Sequence, residues 1–69
     1  MNALRREREA RKMSKAEVAR ASGLNESTYG QIENRRFQPY PGQLSRIAKA
    51  LEWRGDPKEL LEEVDGEGS

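Results

Sequence analysis

The chain has 69 residues, 33% of them apolar and 36% charged, with a net charge of +1, enough for one domain with a small core. It contains neither cysteine nor histidine. Disulfides and thiolate metal sites are therefore excluded, and the commonest general base and metal ligand are missing, so no constellation supports an enzyme or a cofactor. No apolar run approaches a membrane span and no signal-peptide pattern opens the sequence, which sets the expectation of a soluble cytoplasmic protein with no membrane partner.

The charge is unevenly spread. Residues 1–36 hold nine Lys/Arg against five Glu, a net of +4, whereas residues 37–69 hold four against seven acids, a net of −3. Such a split suits a basic face for a polyanion with an acidic segment behind it; a pair of solvated helix surfaces has the same composition.

In chain order, LRREREARKM reads as a first helix with Leu4 and Met13 as its apolar ends. Ser14-Lys15-Ala16-Glu17 matches the S-x-x-E capping box and opens a second helix, which Ser22-Gly23 stops, Gly23 being suited to the left-handed position past a helix end. Asn25 caps a third helix running to about Asn34. Residues 35–40 form a loop, and Pro41 stands at the first position of a fourth helix with Leu44, Ile47, Ala48 and Leu51 on one face. Asp56, Pro57 and Glu59 supply an N-cap, an N1 proline and an N3 acid for a fifth helix through Leu60, Leu61 and Val64. The expectation is an all-α domain of five short helices over residues 1–64, with a short acidic flexible tail at 65–69.

Two short helices joined by a glycine turn are what a helix-turn-helix requires. Ala19 on the inner face permits close crossing, and Val18, Leu24, Tyr29 and Ile32 are spaced to bury one side of both helices. With Met13-Ser14, Ile32-Glu33-Asn34, Pro39, Ile47 to Leu51 and Glu59-Leu60-Leu61 in register, the sequence resembles the phage-repressor and Cro-type (XRE-like) family over residues 4–64, with the helix-turn-helix at about 15–34. It departs at Ser22, where family members have an apolar residue, at Lys15, where glutamine is frequent, at Glu7, and in a longer link at 53–55. The resemblance implies a lambda-repressor-like fold and a regulator of bacterial or phage origin that binds double-stranded DNA at the nucleoid. The specific expectation is a small repressor or Cro-like protein occupying an operator through the major groove. It also implies that Arg8 of the first helix pairs with Glu33 of the third, as a structural ion pair.

In such a fold the third helix enters the major groove. Its polar stripe consists of Glu26, Ser27, Gly30, Gln31 and Asn34. Gln31 can pair bidentately with adenine, Ser27 can bond several base edges, and Glu26 can accept from cytosine N4. Glu26 is also explained as an acid favouring the helix macrodipole, or as a partner for Lys15. Gly30, which costs roughly 1 kcal/mol in a helix relative to alanine, is explained either by close docking in the groove or as a tolerated surface glycine. Lys15, Asn25, Asn34, Arg35 and Arg36 are candidate phosphate contacts; Asn25 is equally a cap, and Arg35-Arg36 equally a solvated loop. Arg5, Arg6, Arg11 and Lys12 are read as solvated. Trp53, with Leu61 or Val64, forms either a homodimer contact or a lid over the core. A second class of function, an antitoxin-like or modulator module, would bind a protein partner through residues 57–69.

Overall fold

The side chain of Asn2 starts the fold, its amide oxygen accepting from the Arg5 N–H at 3.0 Å and so capping a helix that begins one residue earlier than the apolar pattern suggests. The computed structural model describes residues 2–64; Met1 and the expected tail at 65–69 lie outside the described residues. Four α-helices follow in order: α1 (Ala3–Ala10), α2 (Lys15–Ala21), α3 (Glu26–Glu33) and α4 (Pro41–Ala50), then a 3-10 helix, Pro57–Leu61. The all-α class holds, but the helix count needs correction. The expected fifth α-helix is a 3-10 turn that ends at Leu61, leaving Val64 outside it.

The cause of that difference is tertiary. The caps at Asp56 and Pro57 act as read, the Asp56 carboxylate accepting from the Lys58 N–H at 3.0 Å. The Glu62 carbonyl, however, accepts from the Ala3 N–H at 2.8 Å, and Asn2 and Glu63 form an isolated antiparallel bridge. This pairing draws Glu62 into extended backbone, and the helix cannot propagate past it.

The remaining helix starts follow the sequence signals. Ser14 Oγ accepts from the Glu17 N–H at 3.1 Å while the Glu17 carboxylate accepts from the Ser14 N–H at 2.7 Å. These bonds hold the Glu17 carboxyl below the usual range for glutamate. Asn25 Oδ1 accepts from the Thr28 N–H at 2.7 Å, and Gln43 Oε1 accepts from the Tyr40 N–H at 2.9 Å.

All four α-helices end in the same Schellman geometry, in which the last two amides bond back to the third- and second-last carbonyls. The outer bonds are Met13 N–H to Arg8 O, Leu24 N–H to Ala19 O, Arg36 N–H to Gln31 O and Trp53 N–H to Ala48 O, at 2.8 to 3.1 Å. The residue preceding each outer donor is left-handed: Lys12, Gly23, Arg35 and Glu52, with φ of 57°, 74°, 63° and 55°. Only one of the four is glycine. Met13, Leu24 and Trp53, each following a left-handed residue, pack against the core as half-buried side chains.

That core is contributed by every element: Leu4, Val18, Ala19, Tyr29, Ile32, Ile47, Ala48, Leu51 and Leu60 are buried together. Each large aliphatic among them contributes about 1.5–3 kcal/mol. Ala19 on α2 is 2% exposed within this cluster, and a larger side chain there would have to displace its core neighbours.

The left-handed positions give a test with two signs. Lys12→Gly removes a Cβ from a conformation that costs L-residues roughly 1–2 kcal/mol, partly offset by greater freedom in the unfolded chain. The net expectation is a gain of about 0.5–1 kcal/mol, a few degrees in Tm for a domain of this size. Gly23→Ala should move Tm the other way by at least as much. Thermal unfolding followed by circular dichroism measures both.

Candidate nucleic-acid interface

The helix-turn-helix is α2, the turn at 22–25, and α3. Ser22 is buried at 1% exposure although it stands in a turn. Its Oγ donates to the Val18 carbonyl at 2.6 Å, so the hydroxyl is satisfied within its own helix and costs the core little.

The C-terminal end of α3 is held from behind. Arg8, 9% exposed, and Glu33, 7% exposed, form a fork: Arg8 Nε donates to Glu33 Oε2 at 2.6 Å and Nη2 to Oε1 at 3.4 Å. Arg8 Nη1 also donates to the Met13 carbonyl at 2.9 Å, so one guanidinium joins α1, the α1–α2 connection and α3. The bond to Glu33 holds the Arg8 pKa above its ordinary value, with burial opposing it. Next to this pair lies the fully buried Tyr29 hydroxyl, which makes no hydrogen bond of ordinary geometry. Burial foremost, and then the neighbouring Glu33 carboxylate, push its pKa far up; it stays a neutral phenol. Asn2 completes the arrangement, its Nδ2 donating to the Glu33 carbonyl at 3.4 Å. The sequence reading overlooked Asn2, although an asparagine ahead of Ala-Leu-Arg-Arg is a recognisable N-cap.

On the opposite side of α3, Lys15, Glu26, Ser27, Gly30, Gln31, Asn34 and Arg36 line one shallow, open concavity of about 470 Å³. Six of these seven are exposed or half-exposed side chains, and the seventh is the glycine. Seven of the nine expected base- and phosphate-contacting residues thus meet at one surface. A Cβ built on Gly30 meets nothing within 4 Å, so packing inside the chain does not account for the glycine. No ion pair joins Glu26 to Lys15 among the described residues, which leaves both charges facing the concavity.

Two expected residues stand apart. Asn25 does not line the concavity, and its side chain is engaged as the α3 cap. Arg35 points elsewhere: its Nη2 donates to Glu63 Oε2 at 2.5 Å. Arg36 holds the position that an apolar residue takes after the other three α-helices, so the end of α3 presents a cation to the concavity where the others present a core anchor.

Trp53, Leu61 and Val64 are all half-buried. Trp53 packs on the core with its indole N–H donating to the Asp56 carbonyl at 3.1 Å. Leu61 also packs on the core and lines an apolar groove of about 290 Å³ with Pro39, Pro41, Leu44 and Pro57. Tyr40, between two of these prolines in sequence, is 67% exposed. Among the described residues no helix is long and apolar enough to cross a membrane.

Comparison with known proteins decides the family. A helix-turn-helix family model matches residues 4–52. The chain belongs to the XRE-like helix-turn-helix family. This is a family of DNA-binding transcriptional regulators, not enzymes. The chain is also 45% identical over 49 residues to an uncharacterized HTH-type transcriptional regulator, y4dL, of Sinorhizobium fredii (strain NBRC 101917 / NGR234). That match covers 71% of the chain and 25% of the relative, so the chain corresponds to about a quarter of that protein's length. No solved structure matches.

The buried fork yields a prediction for stability. Arg8→Met strands the Glu33 carboxylate in the core and should cost about 3–5 kcal/mol, whereas Arg8→Met with Glu33→Met should recover much of that loss. Urea unfolding of the two variants beside the parent measures it; equal losses in both would mean that packing, rather than charge, carries the contact.

Proposed function

We propose that this chain is a sequence-specific double-stranded DNA-binding regulator, a small repressor or Cro-like protein that occupies an operator through α3. The observation that supports it most is the single concavity along α3, which side chains suited to base edges (Glu26, Ser27, Gln31) share with two cations (Lys15, Arg36) and where no side chain stands at Gly30. Gln31 suits adenine N6/N7, Ser27 several base edges and Glu26 cytosine N4. Lys15, Asn34 and Arg36 serve as phosphate contacts at the margins, and Asn25 contributes by fixing the start of α3.

One such surface reads only a few base pairs. Two copies related by a two-fold axis read half-sites about one DNA turn apart. Of the three residues considered for a homodimer contact, Leu61 is the one that stands in an apolar groove, and a second copy seats there in this reading. The antitoxin-like alternative draws less support. Within residues 57–63 Leu60 is buried in the core, and both the Glu62 carbonyl and the Glu63 carboxylate are engaged with other parts of the chain.

Selection of bound duplexes from a random pool, followed by fluorescence anisotropy, tests the reading. The expected result is a palindromic or paired half-site motif, with affinity falling by about 0.9 log unit per neutralised phosphate per log unit of salt. Equal affinity for all duplexes would overturn it. Gln31→Ala should relax one base position at a cost of about 1–3 kcal/mol, and Arg36→Ala should weaken all duplexes alike. Gly30→Ala should stabilise the free protein by about 0.5–1 kcal/mol, because its Cβ enters open space, and at the same time weaken DNA binding. A stabilised variant with unchanged binding would show that the groove does not need the space.

A further inference from the structure

Arg35 stands two residues past the end of α3, yet its guanidinium is bonded to a carboxylate 28 residues away in sequence. The pair lies at the surface, with side chains 56% and 58% exposed. Its geometry is imposed from both sides. The Schellman turn sets Arg35 at φ 63°, and the bridge of Asn2 with Glu63, together with the Ala3 N–H to Glu62 carbonyl bond, fixes the acidic segment beside it. Arg35 and Arg36 line a second open depression, with Phe37, Gln38 and Pro39. Arg36 also borders the α3 concavity, and Arg35 does not. A phosphate strand passing the end of α3 therefore meets Arg36 uncovered and Arg35 covered by a carboxylate.

We propose that Glu63 is an internal competitor for nucleic-acid phosphate: it occupies Arg35 in the free protein, and DNA gains the full cationic end of α3 only when the segment at 62–64 releases it. This rests on the DNA-binding reading above. Physically, carboxylate and phosphate are alternative acceptors for one planar guanidinium, and both bind it by charge-assisted hydrogen bonds. The exposed pair is weak enough to exchange, so the contact lowers affinity for every sequence without altering base preference. It also makes binding sensitive to anything that lifts the C-terminal segment from Asn2 and Ala3.

The test is a set of full-length variants titrated with the selected duplex and an unrelated one. Glu63→Gln should tighten both by about three- to fivefold, the scale of an exposed ion pair. Glu62→Gln removes the same charge from the neighbouring exposed residue and should change affinity less than twofold. In the Arg35→Gln background the Glu63→Gln gain should vanish. Equal gains from Glu62→Gln and Glu63→Gln, or a gain that persists without Arg35, would overturn the proposal, because the effect would then be net charge alone. Thermal unfolding of each variant separates altered binding from altered folding. If the parent binds no duplex, the DNA reading fails on its own, and retention on heparin decides the competitor question. Later elution of Glu63→Gln than of Glu62→Gln supports it, and coincident elution overturns it.

Discussion

The fork between Arg8 and Glu33 is the constraint on which the exposed surface of α3 depends. α3 is eight residues long, too short to hold its own conformation in water, and its direction must come from what it packs on. Tyr29 and Ile32 anchor one face to the core, but apolar contact alone leaves a short helix free to slide or rotate. A buried carboxylate in its last turn, met by two guanidinium nitrogens and shared with the Met13 carbonyl through the third, removes that freedom. A pair of this kind adds little net stability compared with a hydrophobic substitute. Here its effect is on orientation, since it fixes the end of α3 from which Asn34 and Arg36 face outward.

The same economy appears at the helix ends. A chain this small cannot rely on long helices, so each must be started and stopped by local chemistry. Every start but that of α1 was legible in the sequence, because Ser14-x-x-Glu17, Asn25, Pro41 and Asp56-Pro57 act within three residues of themselves. The stops were legible only at Gly23, where the residue type announces the left-handed backbone. Lys12, Arg35 and Glu52 adopt the same conformation without being the residue type that signals it, because the two back-bonded amides and the half-buried residue that follows Lys12 or Glu52 outweigh the local penalty. A first helix extended to Met13 on apolar spacing is the error that follows.

The polar face of α3 was legible for a related reason. An exposed polar stripe on a short helix is a property of 3.6-residue periodicity and needs no knowledge of distant contacts, so Glu26, Ser27, Gly30, Gln31 and Asn34 could be placed on one face directly. What could not be read were the contacts that join distant parts of the chain: Asn2 to the Glu33 carbonyl, Arg35 to Glu63, and the capture of the Glu62 carbonyl by Ala3. All three converge on the junction between the first residues, the end of α3 and the C-terminal segment, where no periodic pattern reports proximity. They also explain why the fifth element is a 3-10 turn despite sequence signals for an α-helix.

The junction gives α3 two unlike sides, and the difference is electrostatic. Behind the helix, opposite charges are paired and buried, so their fields largely cancel at a distance. In front, Lys15, Glu26 and Arg36 face solvent without a partner among themselves, and their fields extend over roughly a Debye length, about 8 Å at physiological salt. In the DNA-binding reading proposed above, such a surface attracts a polyanion, and Glu26 favours a donor such as an exocyclic amine over an acceptor placed against it. Cations alone would bind every duplex alike. In the reading proposed above, the acid on the exposed side adds to the selection that Gln31 and Ser27 supply, while Arg8 satisfies the other acid, Glu33, on the far side.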